Sequence, residues 1–228
     1  MKRLALAAIV VGSIVLAACG GSSATATPKP AAATATSVPG KAIKLESAVL
    51  QQSEAPAGFT SNGQKTQDNQ AAANDTSDPP TMLKNFQTWG RITGYSVTFT
   101  RSSSKGDEEI DSEAELYQAA SGLKDAFAYE RQNAKAELQA LLGNNGTLVS
   151  YNEVSGPSVG DETFMAVAKI SLKQGNTQVT LDAVDVSWRH GNVAADVVWI
   201  SQGPAIVQSD VIALAQKQDA HIKAALAA

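Results

Sequence analysis

The sequence has few of the residues from which metal and redox sites are built. Among its 228 residues are one cysteine and two histidines. A single cysteine cannot close a disulfide within the chain, and His190 and His221 lack the close spacing of a zinc site and the partners of a catalytic triad. No glycine-rich segment has the glycine-lysine spacing of a phosphate loop. We therefore predict no metal site, no cofactor and no catalytic residue.

Basic residues are outnumbered by acidic ones. The chain has 18 lysines and arginines against 22 aspartates and glutamates, a formal net charge of −4. An acidic surface repels phosphate groups, which argues against a nucleic acid as a partner. It also does not favour electrostatic adhesion to anionic lipid heads. Any association with a membrane must therefore have another cause.

Long apolar runs are absent except for one at the start of the chain. Residues 4–16 are Leu, Ala, Ile and Val, interrupted only by Gly12 and Ser13, and they follow the basic residues Lys2 and Arg3. The run is shorter than the ~20 residues that a membrane-spanning helix needs. A basic start followed by a short apolar run is typical of a signal peptide. We predict a signal peptide over residues 1–18.

The cysteine stands where this apolar run ends. The tetrad Leu16-Ala17-Ala18-Cys19, followed by Gly20, resembles the lipobox of bacterial lipoproteins. The resemblance implies cleavage before Cys19, a diacylglyceryl thioether on its sulfur and an acyl chain, such as palmitate, on the new amino terminus. Two or more acyl chains hold a protein stably on a membrane. The resemblance therefore implies a lipoprotein anchored on the extracytoplasmic side of the cell membrane. The alternative is an ordinary secretory signal in which the cysteine is incidental.

Composition divides the rest of the chain into a tether and one domain. Residues 20–40 are nearly all Ala, Thr, Ser, Pro and Gly, which have too little apolar surface to offset the entropy of ordering. We predict that lipidated Cys19 and residues 20–40 form a flexible tether. Residues 41–228 are long enough for a single domain with a sizeable core.

The hydrophobic periodicity of this domain predicts an α+β fold. Because strands follow one another between separated helices, we expect an antiparallel sheet of about six strands with helices packed on it. The polar stretch 60–78 is predicted to be a mobile loop. The predicted helices are 43–52, 80–89, 121–143 and 209–228, and the predicted strands are 92–102, 108–117, 147–154, 163–173, 177–189 and 192–201.

Several stretches resemble known extracytoplasmic domains. They are "LESAVLQQSEAPAGFT" at 45–60, "VGDETF" at 159–164, and "WRHGNVAADVVW" at 188–199 followed by "ALAQKQDAHIKAAL" at 213–226. Together they resemble small lipoprotein domains similar to the sensor-like and PsbP/Mog1-like α/β/α sandwiches. The resemblance implies a fold and a location outside the cytoplasm, and it carries over no catalytic residue.

One candidate polar site lies in the last predicted hairpin. A turn at His190 and Gly191 would pair Trp188 with Val193 and place Asp185 opposite Asp196. Facing carboxylates share a proton or bind a cation, and otherwise cost stability. We keep Asp185 and Asp196 as a candidate ligand site. The alternatives are a slip in the turn that separates them, or a nearby basic side chain that pairs with them.

A second acidic pattern occurs in the first predicted hairpin. Acidic residues recur at every second position from Asp107 to Glu115, so that on a strand all five carboxylates project from one face. A straight strand spreads its side chains ~7 Å apart on one face, unlike the curved loops that hold calcium. We predict a solvated sheet face, with a cation or a basic partner as the alternative.

These observations favour a binding domain displayed outside the cell membrane, because an anchor, a tether and one domain suit display. A carrier of apolar ligands is the second hypothesis, since helices packed on a twisted sheet can enclose a cavity. A hydrolase is the third. The expected partners are the membrane, through the lipid on Cys19, and a protein or a small apolar ligand.

Overall fold

The computed structural model describes residues 42–175 and 177–228. The predicted signal peptide, Cys19 and the tether lie outside the described residues. Two short 3₁₀ turns, Leu45–Ser47 and Gln52–Glu54, come first in the described part of the chain. They are followed by β1 (Thr60–Gln67), α1 (Asn69–Asn74), α2 (Pro79–Trp89), β2 (Arg91–Ser103), β3 (Gly106–Tyr117), α3 (Ala120–Leu142), β4 (Gly146–Val154), β5 (Glu162–Gln174), β6 (Thr177–His190), β7 (Val193–Ser201) and α4 (Gln208–Ala227).

The seven strands form one antiparallel sheet in the order β1-β2-β3-β7-β6-β5-β4. The last strand, β7, is inserted between β3 and β6 and joins two meanders into a continuous sheet. The α+β prediction is therefore confirmed, with one strand more than expected. Because β3 and β7 are central and pair with each other from Glu108 to Leu116 of β3, both faces of these strands are buried from Glu108 onward in β3 and throughout β7.

One face of the sheet is apolar and is covered by α4 and the first 3₁₀ turn, and we call it the α4 face. Trp188 and Trp199 lie on this face, as the alternation of the hairpin predicts. They pack with a row of valines and with apolar residues of α4. These residues are Val184, Val186, Val193, Val197, Val211, Leu214 and Ile222.

The long helix α3 crosses the opposite face, which we call the α3 face. Its amino-terminal half packs through Leu123 and Ala126 on Tyr117 and Ala194. Its carboxyl-terminal half packs through Leu138 and Leu142 on a second apolar cluster, which contains Ile170, Leu172, Leu181 and Val198. The helix begins and ends within one residue of its predicted limits, because its apolar side chains recur with helical spacing.

Both ends of helix α2 have the residues that predict a helix start and a helix end. The side chain of Asp78 accepts a hydrogen bond from the backbone N–H of Thr81, and Pro79 occupies the first turn. Gly90 ends the helix in the left-handed conformation, with φ of 71°. A polar cap, a first-turn proline and a terminal glycine are the typical limits of a helix, so the predicted range is nearly the observed one.

The predicted helix at 43–52 is replaced by the two 3₁₀ turns. Leu45, Val49 and Leu50 are buried on the sheet, as their apolar character predicts. The backbone N–H of Leu50 donates to Ser112 Oγ at 3.0 Å, and Gln51 Nε2 donates to the carbonyl of Val49 at 3.0 Å. Because side chains satisfy these backbone groups, the segment does not need helical hydrogen bonds.

The predicted loop at 60–78 contains the edge strand β1 and the short helix α1 instead. All side chains of β1 except Gln67 are exposed, so no apolar alternation marks it as a strand. Its structure comes from backbone pairing with β2, from Thr60 opposite Thr100 to Gln67 opposite Gly94. Such pairing depends on a distant part of the chain and leaves no local sequence pattern.

Candidate functional site

The last hairpin turns one residue later than predicted, which changes the partners of both aspartates. Gly191 and Asn192 form the turn, so that His190 pairs with Val193. Gly191 has φ of 58°, and glycine and asparagine are the residues that best tolerate this region. The predicted pairing of Asp185 with Asp196 is therefore wrong. Asp196 lies opposite Ser187, and Asp185 lies opposite Val198.

Both aspartates nevertheless lie on the same face of the sheet, the α3 face. The observed register differs from the predicted one by one residue on each strand, so each residue stays on the predicted face. Asp196 is buried, with 2% of its surface exposed, whereas Asp185 is partly buried. The two residues therefore remain neighbours, arranged diagonally rather than directly opposite each other.

The acidic residues of β3 are buried, contrary to the predicted solvated face. Only Asp107, at the hairpin end, is exposed, and Glu109, Asp111, Glu113 and Glu115 are at most 4% exposed. The prediction failed because β7 pairs with β3 and makes it a central strand. We call Glu109, Asp111, Glu113, Asp185 and Asp196 the acidic face.

Pairing across the strands fixes the geometry of the acidic face. Glu113 lies directly opposite Asp196, and Asp111 lies opposite Val198. Directly opposed side chains have Cβ atoms about 5 Å apart, so Glu113 and Asp196 are like charges in close proximity. Two hydroxyl groups donate to the face. Thr98 Oγ1 donates to Asp111 Oδ1 at 2.5 Å, and Ser187 Oγ donates to Asp185 Oδ1 at 2.9 Å.

Asp196 interrupts an apolar row on β7. Its neighbours on the same face are Ala194, which belongs to one apolar cluster under α3, and Val198, which belongs to the other. Both carboxylate oxygens of Asp196 are buried and have no hydrogen-bond partner among the residues that the structure describes. Burial raises the pKa of Asp196 well above its usual range, and the nearby Glu113 and Asp185 raise it further. In these surroundings the carboxyl group is either protonated and neutral, or ionised with a cation bound to it.

The pKa of Asp185 is raised as well. Burial of its carboxyl group raises its pKa to about 6, although the hydrogen bond from Ser187 opposes the change. Tyr151 of β4 lies on the same face of the sheet, and burial together with the charge of Asp185 raises the pKa of the tyrosine to about 12.

A buried ion pair adjoins the acidic face. Arg91 Nε lies 2.8 Å from Glu115 Oε1, and both side chains are fully buried. Tyr117 Oη donates to the other oxygen of Glu115 at 2.9 Å, and Arg91 Nη1 donates to Asn69 Oδ1 at 3.0 Å. Burial raises the pKa of Glu115, but the positive charge of Arg91 and its hydrogen bond are among the causes that lower it, and the resulting pKa is about 2. Glu115 is thus held as a carboxylate.

Gly94 leaves the space that the Arg91 side chain occupies. A Cβ atom at position 94 would lie 2.5 Å from Arg91 Nη2 and 3.1 Å from Glu113 Oε1. The guanidinium group therefore extends from Glu115 towards Glu113, and it raises the local positive potential at one end of the acidic face. Arg91 was not among the predicted site residues, although a basic residue at the start of a strand that precedes an acidic strand was a signal in the sequence.

The two histidines hold α4 in place and are remote from the acidic face. His190 ends β6 rather than lying in the turn, and its Nδ1 lies 3.3 Å from Asp219 Oδ1 of α4. His221 Nδ1 lies 3.0 Å from the carbonyl of Val49, and its Nε2 lies 3.1 Å from Glu54 Oε1. Within residues 42–175 and 177–228, no group of three or more histidine, cysteine or acidic side chains has the arrangement of a metal site.

Comparisons with known proteins give one similar structure. No family model and no curated protein matches the chain. The chain is similar to the extracellular domain of PknH from Mycobacterium tuberculosis, with a TM-score of 0.48 and 12% sequence identity over 80% of this chain and 94% of that one. The lipobox and the PsbP/Mog1-like resemblance stay predictions.

In the described part of the chain, no helix is long and apolar enough to cross a membrane.

Asp185 is expected to make stability depend on pH. Because its folded-state pKa is raised, the stability that its proton gives is complete below the unfolded pKa of about 4 and is lost as the pH rises through about 6. Asp185→Asn should remove this loss, a relative gain of about 1 to 2 kcal/mol at neutral pH. Urea denaturation at a series of pH values measures it, with the exposed Asp107→Asn as control. Parallel pH profiles of the wild type and Asp185→Asn would contradict the raised pKa.

Proposed function

We propose that this protein is a lipid-anchored extracytoplasmic binding protein that takes a cationic ligand at its acidic face. Cys19 carries the lipid, residues 20–40 hold the domain away from the bilayer, and the sheet presents the site. The lipobox sequence supports the anchor, and the buried carboxylates support the ligand class. The central observation is Asp196, a buried carboxyl group without a hydrogen-bond partner in an otherwise apolar row.

The position of Asp196 supports a functional rather than a structural role. An unpartnered buried carboxyl group costs stability, and an apolar residue between Ala194 and Val198 would join the two clusters under α3. Groups with strongly perturbed pKa values concentrate at functional sites. A bound cation would satisfy the carboxylate and offset the repulsion from Glu113.

The carrier of apolar ligands receives less support. The described residues form a cavity of about 50 Å³ between the 3₁₀ turns and β2, near Tyr95, whereas pockets for small ligands measure ~300 to 1,000 Å³. A larger cavity of about 260 Å³ lies at the end of the sheet, where Asn145, Ser171 and Lys173 give it a polar lining. Neither suits an apolar ligand.

The anchor is tested by fractionation of cells. Cys19→Ala removes the thiol that would carry the lipid and should abolish retention in the membrane fraction while the domain stays folded. Ser22→Ala, a neighbouring change outside the tetrad, is the matched control and should leave retention unchanged. If Cys19→Ala protein still sediments with membranes after an alkaline wash, the proposed anchor is wrong.

The role of Asp196 is tested by comparing the free energy of unfolding of the wild type and Asp196→Asn without ligand. Asp196→Asn removes a carboxyl group that gains nothing from the described residues, so the free energy of unfolding should stay the same or rise by up to about 2 kcal/mol at neutral pH. Urea denaturation of the purified protein, dialysed free of amines, measures this change. A clear loss of stability would mean that Asp196 holds the fold together, and the functional assignment would fall.

A further inference from the structure

The carboxylates of the acidic face surround an apolar side chain. Val198 pairs with Asp111 on one side and with Asp185 on the other. Asp196 is its neighbour on the same face of β7, and Glu113 lies opposite Asp196. Neighbouring strands are about 5 Å apart, and residues on one face of a strand repeat every ~7 Å. The carboxylates are thus distributed around Val198 instead of converging on one point.

This distribution determines which cation fits. A metal ion requires oxygen ligands at about 2.0 to 2.6 Å from a common centre. Carboxylates that are separated by an apolar side chain fit an elongated molecule whose charges are separated by methylene groups. We propose that the acidic face binds an aliphatic polyamine, with ammonium groups on the carboxylates and methylene groups spanning the distance between them. The inference rests on the proposed function and specifies its ligand.

The hydrogen-bonding capacity of the site matches a primary ammonium group. An ammonium has three N–H donors and no acceptor, and a carboxylate accepts only. Both oxygens of Asp196 are buried and available to accept hydrogen bonds. At Asp185, Ser187 already donates to Oδ1, which leaves Oδ2 for a second ammonium group. Asp185 is also the more exposed end, where the ligand extends towards solvent.

Arg91 sets the limit of the site. Its guanidinium group lies against Glu115 and extends towards Glu113, so it repels a cation at that end of β3. The ligand therefore runs from Asp196 across to Asp185, away from Arg91. This direction is the basis for choosing Asp196 and Asp185, rather than Glu115, as the test positions.

The test is isothermal titration calorimetry of the full chain, purified in detergent. The titrants are spermidine, 1,4-diaminobutane, butylamine, a lysine-containing tripeptide and calcium chloride. Spermidine should bind with one site per chain and about tenfold or more tightly than butylamine, because a second charge-assisted hydrogen bond is made. Asp196→Asn and Asp185→Asn should each weaken spermidine binding about tenfold, whereas Asp107→Asn, an exposed change on β3, should not.

The outcomes distinguish a wrong choice of ligand from a wrong choice of site. The polyamine assignment would be overturned if butylamine or calcium bound as tightly as spermidine, or if the tripeptide bound more tightly, in each case with binding that requires Asp196. If no titrant depends on Asp196, the proposed cation site is overturned as well. Equal weakening by Asp107→Asn would attribute the binding to overall charge and also overturn the inference. Thermal melts of each variant confirm that it is folded.

Discussion

Trp188→Ala should lower the free energy of unfolding by about 3 to 5 kcal/mol, the usual cost of deleting a large buried aromatic side chain. Trp188 is fully buried on the α4 face, in the cluster that holds Val186 and Val197. Trp199→Ala should cost a similar amount. Its ring meets the ring of Phe59 edge to face, with centroids 5.2 Å apart, and its Nε1 donates to Glu108 Oε1 at 3.3 Å.

Chemical denaturation with a common slope for all variants measures these losses. Val207→Ala is the control, because Val207 is 56% exposed and its change should stay within about 0.5 kcal/mol. Trp188→Ala and Trp199→Ala proteins that unfold like the parent would show that the α4 face is not the main core. The register of β6 on β7 would then also be wrong, and the positions of Asp185 and Asp196 would no longer follow from it.

Arg91→Met is expected to cost about 3 to 5 kcal/mol, because it leaves the buried Glu115 carboxylate without its arginine. The change also removes the contact of the guanidinium group with the Phe86 ring, 4.9 Å from its centroid. The double change Arg91→Met and Glu115→Leu should recover much of this loss, since it removes both charges and fills the space with apolar groups.

A double-mutant cycle on the free energy of unfolding measures the coupling. The matched control is Arg131→Met, which breaks the ion pair with Glu153 on the surface, where the side chains are 45% and 40% exposed. An exposed pair contributes ~0 to 1 kcal/mol. If Arg91→Met costs no more than Arg131→Met, the buried pair does not organise this end of the sheet.

Local sequence patterns predicted much of the fold. The helical spacing of Leu123, Phe127 and Leu138 placed α3, and strict alternation placed Trp188 and Trp199 on one face. These features are visible because helices and half-buried strands repeat their apolar residues with a fixed period. Strand β1 was missed because its side chains are exposed and its backbone pairing with β2 leaves no such period.

The candidate site was predicted in part. Alternation correctly placed Asp185 and Asp196 on one face, but the turn at Gly191 and Asn192 set their partners. The burial of the β3 carboxylates was missed because it follows from the order of strands. An acidic residue at every second position looks like a solvated face until β7 is known to pair with β3. Strand order is a property of the whole chain and has no local signature.

Native mass spectrometry of the protein extracted from the membranes of its own cells is the most direct test of the proposed acidic site. The wild-type protein should retain a small basic molecule, and the same preparation of Asp196→Asn should lose it while Asp107→Asn keeps it. Retention of the same mass by Asp196→Asn, or of an apolar molecule by all forms, would contradict the assignment of the acidic face as the ligand site.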